Sequence, residues 1–277
     1  MLKYRLISFP LLLAVVAAMF FWSAGGKYLF ALFAVAGSAA ALYEAARLMD
    51  KIQIPAYPRF CALSGAVVSA AFCVDNFNWL SRKICAQTAL CLAVLTGIVT
   101  LLMLIRKKND IVRKIAGSIS TLAIFGFPFF LLETVYFRTL GGLPLLFYTI
   151  CVVKSMDTGG YIFGLSSAKL LPGGNHKIAP TISPNKSWEG VLGGMLMSVG
   201  VSLIFYKFNG GNLGVYILHG VVLSLLSLAG DLTESSLKRS AGVKDSANWI
   251  PGMGGLLDVF DSFLYVGYFM LISNLGR

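Results

Sequence analysis

The sequence predicts an all-α, polytopic integral membrane protein. Of its 277 residues, 57% are hydrophobic and only 13% are charged, and the mean hydropathy is +0.78. An ordinary soluble domain has about 25% charged residues, so that class of protein is excluded. The apolar runs are long and continuous, without the alternation of a transmembrane β-strand, and they therefore predict helices.

Nine membrane spans are predicted, since a helix needs about 20 apolar residues to cross the hydrocarbon core. Their ranges are 7–23, 28–46, 60–76, 84–105, 115–137, 143–164, 188–206, 214–234 and 254–274. The first run follows Lys3 and Arg5, as the apolar part of a signal peptide would. The second run begins so soon afterwards that a helical hairpin is the preferred interpretation.

The basic residues predict the orientation of the chain. Lys and Arg precede the first span and follow the second, fourth, sixth and eighth spans, and they are sparse in the other loops. Because cytoplasmic loops are enriched in these residues, the N-terminus is predicted to be cytoplasmic and the C-terminus to lie outside. The net charge of +11 fits anionic lipid or an anionic substrate. Nucleic acid is not expected as a partner, because no basic tail or basic domain is present.

The two halves of the chain differ in character. Residues 1–137 are predicted to form a transmembrane scaffold, in which Glu44 and Glu133 are interpreted as interfacial or capping acids. Residues 138–277 are predicted to form a catalytic transmembrane region, where polar groups enter the spans or crowd their cytoplasmic ends. The five cysteines lie in or beside apolar runs without a C-x-x-C pair, and are interpreted as core residues.

Charged groups lie late in the sixth predicted span. Lys154 and Asp157 are three residues apart and Asp157 and Tyr161 are four apart, so a helix places all three on one face. A charge in mid-bilayer costs about 2.5–3.5 kcal/mol on insertion scales, and a pair of Lys154 with Asp157 would reduce this cost. A purely structural ion pair and a functional site are equally compatible with the pattern.

The predicted cytoplasmic loop at residues 171–190 offers an anion site. Ser183 followed by Pro184 has the pattern of a helix N-cap with proline at the first helical position. A helix start near Lys177 and Lys186 would combine free backbone N–H groups with positive charge. An ordinary basic loop is the competing interpretation, and charge alone favours it.

Residues 230–262 concentrate charge between two apolar runs, and hold five of the twelve acidic residues. Asp231 and Ser235 share a face at the end of the eighth span, and Asp258 and Asp261 share one at the start of the ninth. Carboxylates without histidine or cysteine favour Mg²⁺ over zinc. Mg²⁺ usually completes its coordination shell with water and phosphate oxygens.

Cations and glycines in the same segment predict a phosphate site. Lys238, Arg239 and Lys244 would neutralise phosphate groups. Gly254 and Gly255 would let the backbone approach a ligand and point N–H groups at an anion. A salt-bridged re-entrant loop without a ligand is the disfavoured alternative. A metal, a cation cluster and a membrane location together indicate phosphoryl or nucleotidyl transfer to a lipid.

Four motifs of the C-terminal half carry a family resemblance. They are D-T-G-x-Y at 157–161, I-S-P-x-K-S-W-E-G at 182–190, S-x-L-K-R-x4-K-D at 235–245 and P-G-x-G-G-x-x-D-x-x-D-S at 251–262. Together they resemble the signature of the phosphatidate cytidylyltransferase family, also called CDP-diacylglycerol synthases. The chain departs from many members at Met253, where they have histidine, and at Val259, where they have arginine. Lys154 occupies a position that is expected to be apolar.

The resemblance implies that CTP and phosphatidate react, with Mg²⁺ as the cofactor, to give CDP-diacylglycerol and diphosphate. A second cation and a homodimer are left open. It implies a bacterial-type inner membrane protein whose active site faces the cytoplasm. The predicted metal ligands are Asp231, Asp258 and Asp261. The predicted catalytic residues are Asp231, Ser235, Lys238, Arg239, Lys244, Asp245, Asp258 and Asp261. The residues predicted to bind substrate are Asp157, Tyr161, Lys177, Ser183, Lys186, Gly254 and Gly255.

Two other functions compete with this expectation. Another CTP-dependent membrane lipid enzyme, such as a polyprenol kinase or a CDP-archaeol-type synthase, would use similar chemistry on another acceptor. An ion-coupled transporter would also place acids within the membrane. It is disfavoured because it predicts charges near the bilayer midplane and paired halves with broken helices, whereas here the charges lie mostly at the predicted cytoplasmic ends of spans.

Overall fold

The structure is a computed structural model, and it describes residues 2–76, 110–138 and 142–273. Over these residues it is mostly helical, as the sequence predicts. Four described helices are long and apolar enough to cross a membrane: Gly26–Lys51, Asp110–Phe137, Trp188–Asn209 and Leu213–Ser240. The mostly helical fold is thereby confirmed, and the four candidate spans fit an integral membrane protein. Nine spans and a cytoplasmic N-terminus stay predictions, and the predicted fourth span, 84–105, lies outside the described residues.

The described elements follow one another in this order along the chain. The helices are α1 (Leu2–Phe21), α2 (Gly26–Lys51), α3 (Pro58–Asn76), α4 (Asp110–Thr121), a π-helix (Leu122–Gly126), α5 (Phe127–Arg138), α6 (Gly142–Leu170), α7 (Trp188–Asn209), α8 (Leu213–Ser240), α9 (Leu256–Phe260), a 3₁₀ helix (Asp261–Phe263) and α10 (Val266–Ile272). The strands β1 (Lys177–Ala179) and β2 (Ser183–Ser187) lie between α6 and α7 and pair antiparallel.

The chain divides into two compact units. The first contains Met1–Thr139 and Ser240–Phe260, and the second contains Leu140–Arg239 and Asp261–Arg277. The first change of unit lies close to the predicted boundary between scaffold and catalytic region. Part of the predicted catalytic region, Ser240–Phe260, nevertheless packs with the N-terminal residues.

Close helix packing builds the first unit. Gly65 of α3 lies against α2, and a Cβ at Gly65 would meet the Leu42 side chain and the Ser38 carbonyl oxygen. Leu42 is fully buried. Elsewhere in the same unit the rings of Phe72 and Phe130 stack at 5.9 Å between centroids, which joins α3 to α5.

Glycines allow α6 and α7 to approach closely in the second unit. Gly160 and Gly164 lie four residues apart on α6, and Gly190 and Gly194 lie four apart on α7. A Cβ on Gly190 would lie 2.8 Å from the carbonyl oxygen of Gly160, and one on Gly194 would lie 2.6 Å from that of Met156. Facing G-x-x-x-G patterns of this kind bring membrane helices into backbone contact.

The prediction that Ser183 caps a helix is wrong. Residues 183–187 form strand β2, and α7 begins at Trp188 with Ser187 as its N-cap. The Ser187 hydroxyl accepts a hydrogen bond from the N–H of Gly190 at 3.1 Å, which satisfies one of the donors that a helix start leaves free. Pro184 fits a two-stranded hairpin, because each of its strands has one edge that needs no N–H donor.

The predicted ninth span is not a single helix. The chain forms α9, then the 3₁₀ helix, and then α10, which begins at Val266. Two carboxylates of this stretch accept from nearby backbone N–H groups: Asp258 from Gly255, and Asp261 from Ser262. The Asp261 bond lies within the interruption and competes with the helical hydrogen-bond ladder. The Asp258 bond lies at the start of α9 and stabilises that start, as the acid of a capping box does.

Candidate active site

Asp231 lies where α8 packs against the 3₁₀ helix in the second unit. Gly230 permits this packing, because a Cβ there would overlap the carbonyl oxygen of Asp261. The hydroxyl groups of Thr233 and Tyr265 lie 3.1 Å apart and add a second tie. Gly230 and the contact of Thr233 with Tyr265 thus hold Asp231 beside the Asp261 backbone.

Both carboxylate oxygens of Asp231 have partners. The Lys186 Nζ atom lies 2.6 Å from Oδ2, and the Ser235 hydroxyl donates to Oδ1 at 3.1 Å. The predicted shared face of Asp231 and Ser235 is therefore confirmed. Lys186 and Asp231 are 22% and 24% exposed, so their ion pair is partly shielded from water.

Two side-chain contacts join the β1–β2 hairpin to the end of α8. Lys186 pairs with Asp231, and the Arg239 Nε–H donates to the carbonyl oxygen of Ile182 at 3.2 Å.

A second group of contacts centres on Ser262. Its hydroxyl lies 3.0 Å from Asp157 Oδ2 and 2.9 Å from Asp261 Oδ1. The Lys154 Nζ atom lies 3.0 Å from the same Asp157 oxygen, which confirms the predicted ion pair. Lys154 also lies 5.2 Å from the centroid of the Phe263 ring. The cation at an expected apolar position is thus accounted for by an acidic and an aromatic neighbour.

Asp261 lies in the field of several charges. Asp231 and Asp157 are its like-charged neighbours, and Lys154 is its neighbour of opposite charge. Like-charged carboxylates repel one another unless a cation compensates them. The second unit therefore concentrates negative charge at this point and supplies some compensation through Lys154 and Lys186.

The donor chemistry fits Mg²⁺, because carboxylate and hydroxyl oxygens are its preferred ligands. Within residues 2–76, 110–138 and 142–273, no group of three or more His, Cys, Asp or Glu side chains is placed to hold a metal ion. Mg²⁺ does not need three, since it is commonly bound by one or two carboxylates together with water and phosphate oxygens. Asp231 and Asp261 lie near enough to interact electrostatically, and their role as metal ligands stays a prediction.

Lys238 and Arg239 differ in their surroundings. Lys238 is 11% exposed in its side chain and forms an ion pair with the fully buried Glu234, one turn earlier on α8. Arg239 is exposed and contacts the tip of the hairpin. The structure therefore places the cationic group of Lys238 inside the second unit and that of Arg239 at its surface.

Asp258 belongs to the first unit and is held by its own loop, residues 246–258. Its Oδ2 atom accepts hydrogen bonds from the Ser246 N–H at 2.9 Å and the Gly255 N–H at 2.7 Å. The Ser246 hydroxyl lies 2.8 Å from the same oxygen. A Cβ at Gly254 would overlap the Asp258 carboxylate, so this conformation of the segment requires glycine at position 254.

Glu44 of α2 contacts the same loop. Its Oε1 atom accepts from the Leu256 N–H at 2.9 Å, and its Oε2 atom accepts from the Leu257 N–H at 2.9 Å. The sequence predicted an interfacial or capping acid, whereas Glu44 is buried and caps α9 instead of its own helix. The N–H groups after the glycine pair thus face carboxylates of the chain itself. The substrate-binding role of Gly254 and Gly255 stays a prediction.

The other predicted site residues lie mostly at the surface. Tyr161 is 71% exposed, although it lies one turn after Asp157 on α6. Ser183 is partly buried in strand β2. The remaining exposed residues of the predicted set are Lys177, Lys244 and Asp245. Their catalytic or substrate-binding roles stay predictions.

Three residues with central contacts are absent from the predicted set. Ser262 ends the D-x-x-D-S motif, so the motif itself was the available signal. Glu44 had the signal of an acid within an apolar helix, which in a membrane segment indicates a function by default. Ser246, which contacts both Glu44 and Asp258, carries no signal in its neighbouring sequence.

Helices apolar and long enough to cross a membrane, together with acids and cations gathered at the end of α8, indicate a membrane protein with a charged site. Residues 3–274 match the model of the Cytidylyltransferase family, and the chain belongs to that family. Among its relatives is a phosphatidate cytidylyltransferase of Staphylococcus aureus (strain COL), 46% identical over 143 residues, which are 51% of each chain. Another, from Staphylococcus haemolyticus, is 45% identical over 127 residues, 45% of this chain and 46% of the relative. The chain thus spans about half the length of the curated relatives it matches.

Proposed function

We propose that the protein transfers a cytidylyl group from CTP to phosphatidate, giving CDP-diacylglycerol and diphosphate. The observation that carries this proposal is the family match over residues 3–274. The aligned relatives, which are named phosphatidate cytidylyltransferases, support the choice of acceptor. Apolar helices beside a charged site also suit a lipid acceptor and an anionic nucleotide.

The proposed reaction exchanges one phosphorus–oxygen bond for another. A phosphate oxygen of phosphatidate bonds to the α-phosphorus of CTP, and the bond from that phosphorus to the α–β bridging oxygen breaks. Diphosphate leaves with the electron pair. Phosphatidate is already an anion at neutral pH, so the protein needs mainly to orient the reactants and to balance their charge.

Mg²⁺ is the proposed cofactor, and Asp231 and Asp261 are the proposed ligands in the second unit. Asp258 is proposed as a further ligand on the sequence pattern alone, and a second cation stays open. When bound, the metal would neutralise charge on phosphate oxygens. The Ser262 hydroxyl orients the Asp261 carboxylate. Lys186 compensates Asp231 and is proposed to contact phosphate.

The exposed cations of the predicted set are proposed to bind the triphosphate. They are Lys177, Arg239 and Lys244. Lys238 is paired with Glu234 and is proposed to act through its charge and its support of α8. Asp245, next to Lys244, is proposed to hold a cation in place. The chain is further proposed to span the inner membrane nine times, with the N-terminus and the active site on the cytoplasmic side.

The proposed function is tested with purified protein, CTP labelled at the α-phosphorus, and phosphatidate, with and without Mg²⁺. Label in a lipid product that requires Mg²⁺ is expected. A second assay uses CTP labelled at the γ-phosphorus with a polyprenol acceptor, because a kinase would transfer that label. Label from γ-CTP alone, or no lipid labelling, would overturn the proposal. The Asp50→Asn variant changes an exposed acid at the end of α2 and is expected to remain active.

A further inference from the structure

Glu44 is a buried acid in the N-terminal half whose two oxygens are both occupied. It is 1% exposed. Oε1 accepts from the Leu256 N–H, and Oε2 accepts from the Leu257 N–H, both at 2.9 Å. The Ser246 hydroxyl lies 2.6 Å from Oε2. A carboxylate is costly to bury unless its lone pairs are used, and here three donors converge on it.

Ser246 links Glu44 to Asp258. Its hydroxyl lies 2.6 Å from Glu44 Oε2 and 2.8 Å from Asp258 Oδ2, while its N–H donates to the same Asp258 oxygen. A serine hydroxyl has a single proton, so the two carboxylates share one donor. The position of the Asp258 side chain therefore depends on where Glu44 holds Ser246.

The fit around Glu44 is close. A Cβ at Gly255 would overlap both Glu44 Oε2 and the Ser246 hydroxyl, and Leu257 is fully buried. Earlier on α2, the Phe33 ring lies 6.0 Å from that of Phe260, at the far end of α9. Helix α2 thus holds α9 by an aromatic contact at one end and by the Glu44 carboxylate at the other.

We propose that Glu44 is a positioning residue for the transfer reaction, acting through Ser246 and the backbone of residues 255–257 on Asp258. The inference rests on the proposed function and on the predicted role of Asp258. Packing alone would not select an acid here, because glutamine has nearly the same shape. Glutamine, however, has one acceptor oxygen and an NH₂ group that can only donate, so it would oppose one of the three donors.

The test compares Glu44→Gln with Glu133→Gln. Glu133 is a matched control, because it is 2% exposed in the same unit and accepts from the Ser69 hydroxyl at 2.6 Å. We measure kcat and the KM for CTP, and the hydrogen exchange of peptides from the 246–258 loop. For E44Q, kcat is expected to fall at least about tenfold with KM changed less than about threefold. Loop amides should exchange faster in E44Q, and E133Q should resemble the wild type in kcat and in loop exchange.

Ser246→Ala provides a second variant should E44Q fail to fold. It removes the shared hydroxyl but keeps both backbone bonds to Glu44, so the same changes are expected at smaller amplitude. Unchanged kcat in the folded variant, or an equal loss in E133Q, would overturn the proposal. If the wild type transfers no cytidylyl group, the proposed function fails, and loop exchange alone decides. Faster exchange in E44Q but not in E133Q then supports Glu44 as the residue that positions the loop, and equal exchange overturns it.

Discussion

Asp261 lies among other carboxylates, so its effect on stability can be distinguished from its effect on activity. Asp231 and Asp157 are the neighbours that repel it, and Lys154 attracts it. A carboxylate kept in such a place lowers stability through repulsion unless a cation is bound. Residues that lower stability in this way are typical of active sites.

Replacing Asp261 with asparagine removes one negative charge and keeps the shape of the side chain. We expect the thermal midpoint in the absence of Mg²⁺ to stay the same or to rise, because repulsion is relieved. Cytidylyl transfer should fall by about 100-fold or more, since a proposed metal ligand is lost. Thermal unfolding in detergent and the labelled-CTP assay measure the two effects. A variant that loses stability and keeps its activity would contradict the assignment.

Substitution of Lys154 tests whether the proposed Mg²⁺ site adjoins Asp157 and Asp261. Lys154→Met removes a positive charge from the cluster, so the apparent affinity for Mg²⁺ should rise by about three- to tenfold. A Mg²⁺ titration of activity measures the shift, and Lys154→Arg, which keeps the charge, is the control. Equal Mg²⁺ dependence in both variants would place the cation elsewhere.

Helices α6 and α7 depend on small residues for their contact. Gly194 lies against the backbone of α6, whereas a Cβ at Gly200, on the same helix, would meet nothing within 4 Å. The two glycines therefore provide a matched pair within one element. Their difference isolates the cost of separating the helices from the general effect of alanine in a helix.

Gly194→Ala is expected to destabilise the protein by about 1–3 kcal/mol, because the added methyl group must push the two backbones apart. Gly200→Ala is expected to be neutral or stabilising by up to about 1 kcal/mol, because alanine favours helix over glycine. Denaturant unfolding in mixed micelles measures both. Equal effects would show that the close approach of α6 and α7 contributes little to stability.

The hairpin of β1 and β2 is held to α8 at two points, by Lys186 and by the carbonyl of Ile182. Lys186→Met removes one of them, so the hairpin should be cut faster in limited proteolysis and the KM for CTP should rise. Lys169→Met, which changes an exposed cation at the end of α6, is the control. Unchanged cleavage in the Lys186 variant would mean that the ion pair does not hold the hairpin.

At the scale of the whole molecule, the sequence predicted what is local in the chain. Apolar length predicted the helices, and spacings of three and four predicted the contacts of Lys154 with Asp157 and of Asp231 with Ser235. The bonds from Glu44 to Leu256 and Leu257 join positions more than 200 residues apart, and a single sequence carries no signal for such pairs. The choice between Ser183 and Ser187 as the cap depended on strand pairing, which local propensity does not encode.

The orientation of the chain gives the prediction at the largest scale. The hairpin between α6 and α7 carries Lys177 and Lys186, and the short turn between α7 and α8, residues 210–212, carries no basic residue. The positive-inside rule therefore places the hairpin in the cytoplasm and the turn outside. In a variant without native cysteines, Ser183→Cys should react with an impermeant maleimide only after the membrane is opened. Asn212→Cys should react in intact cells. The reverse pattern would place the proposed active site away from cytoplasmic CTP and would contradict both the orientation and the proposed source of the nucleotide.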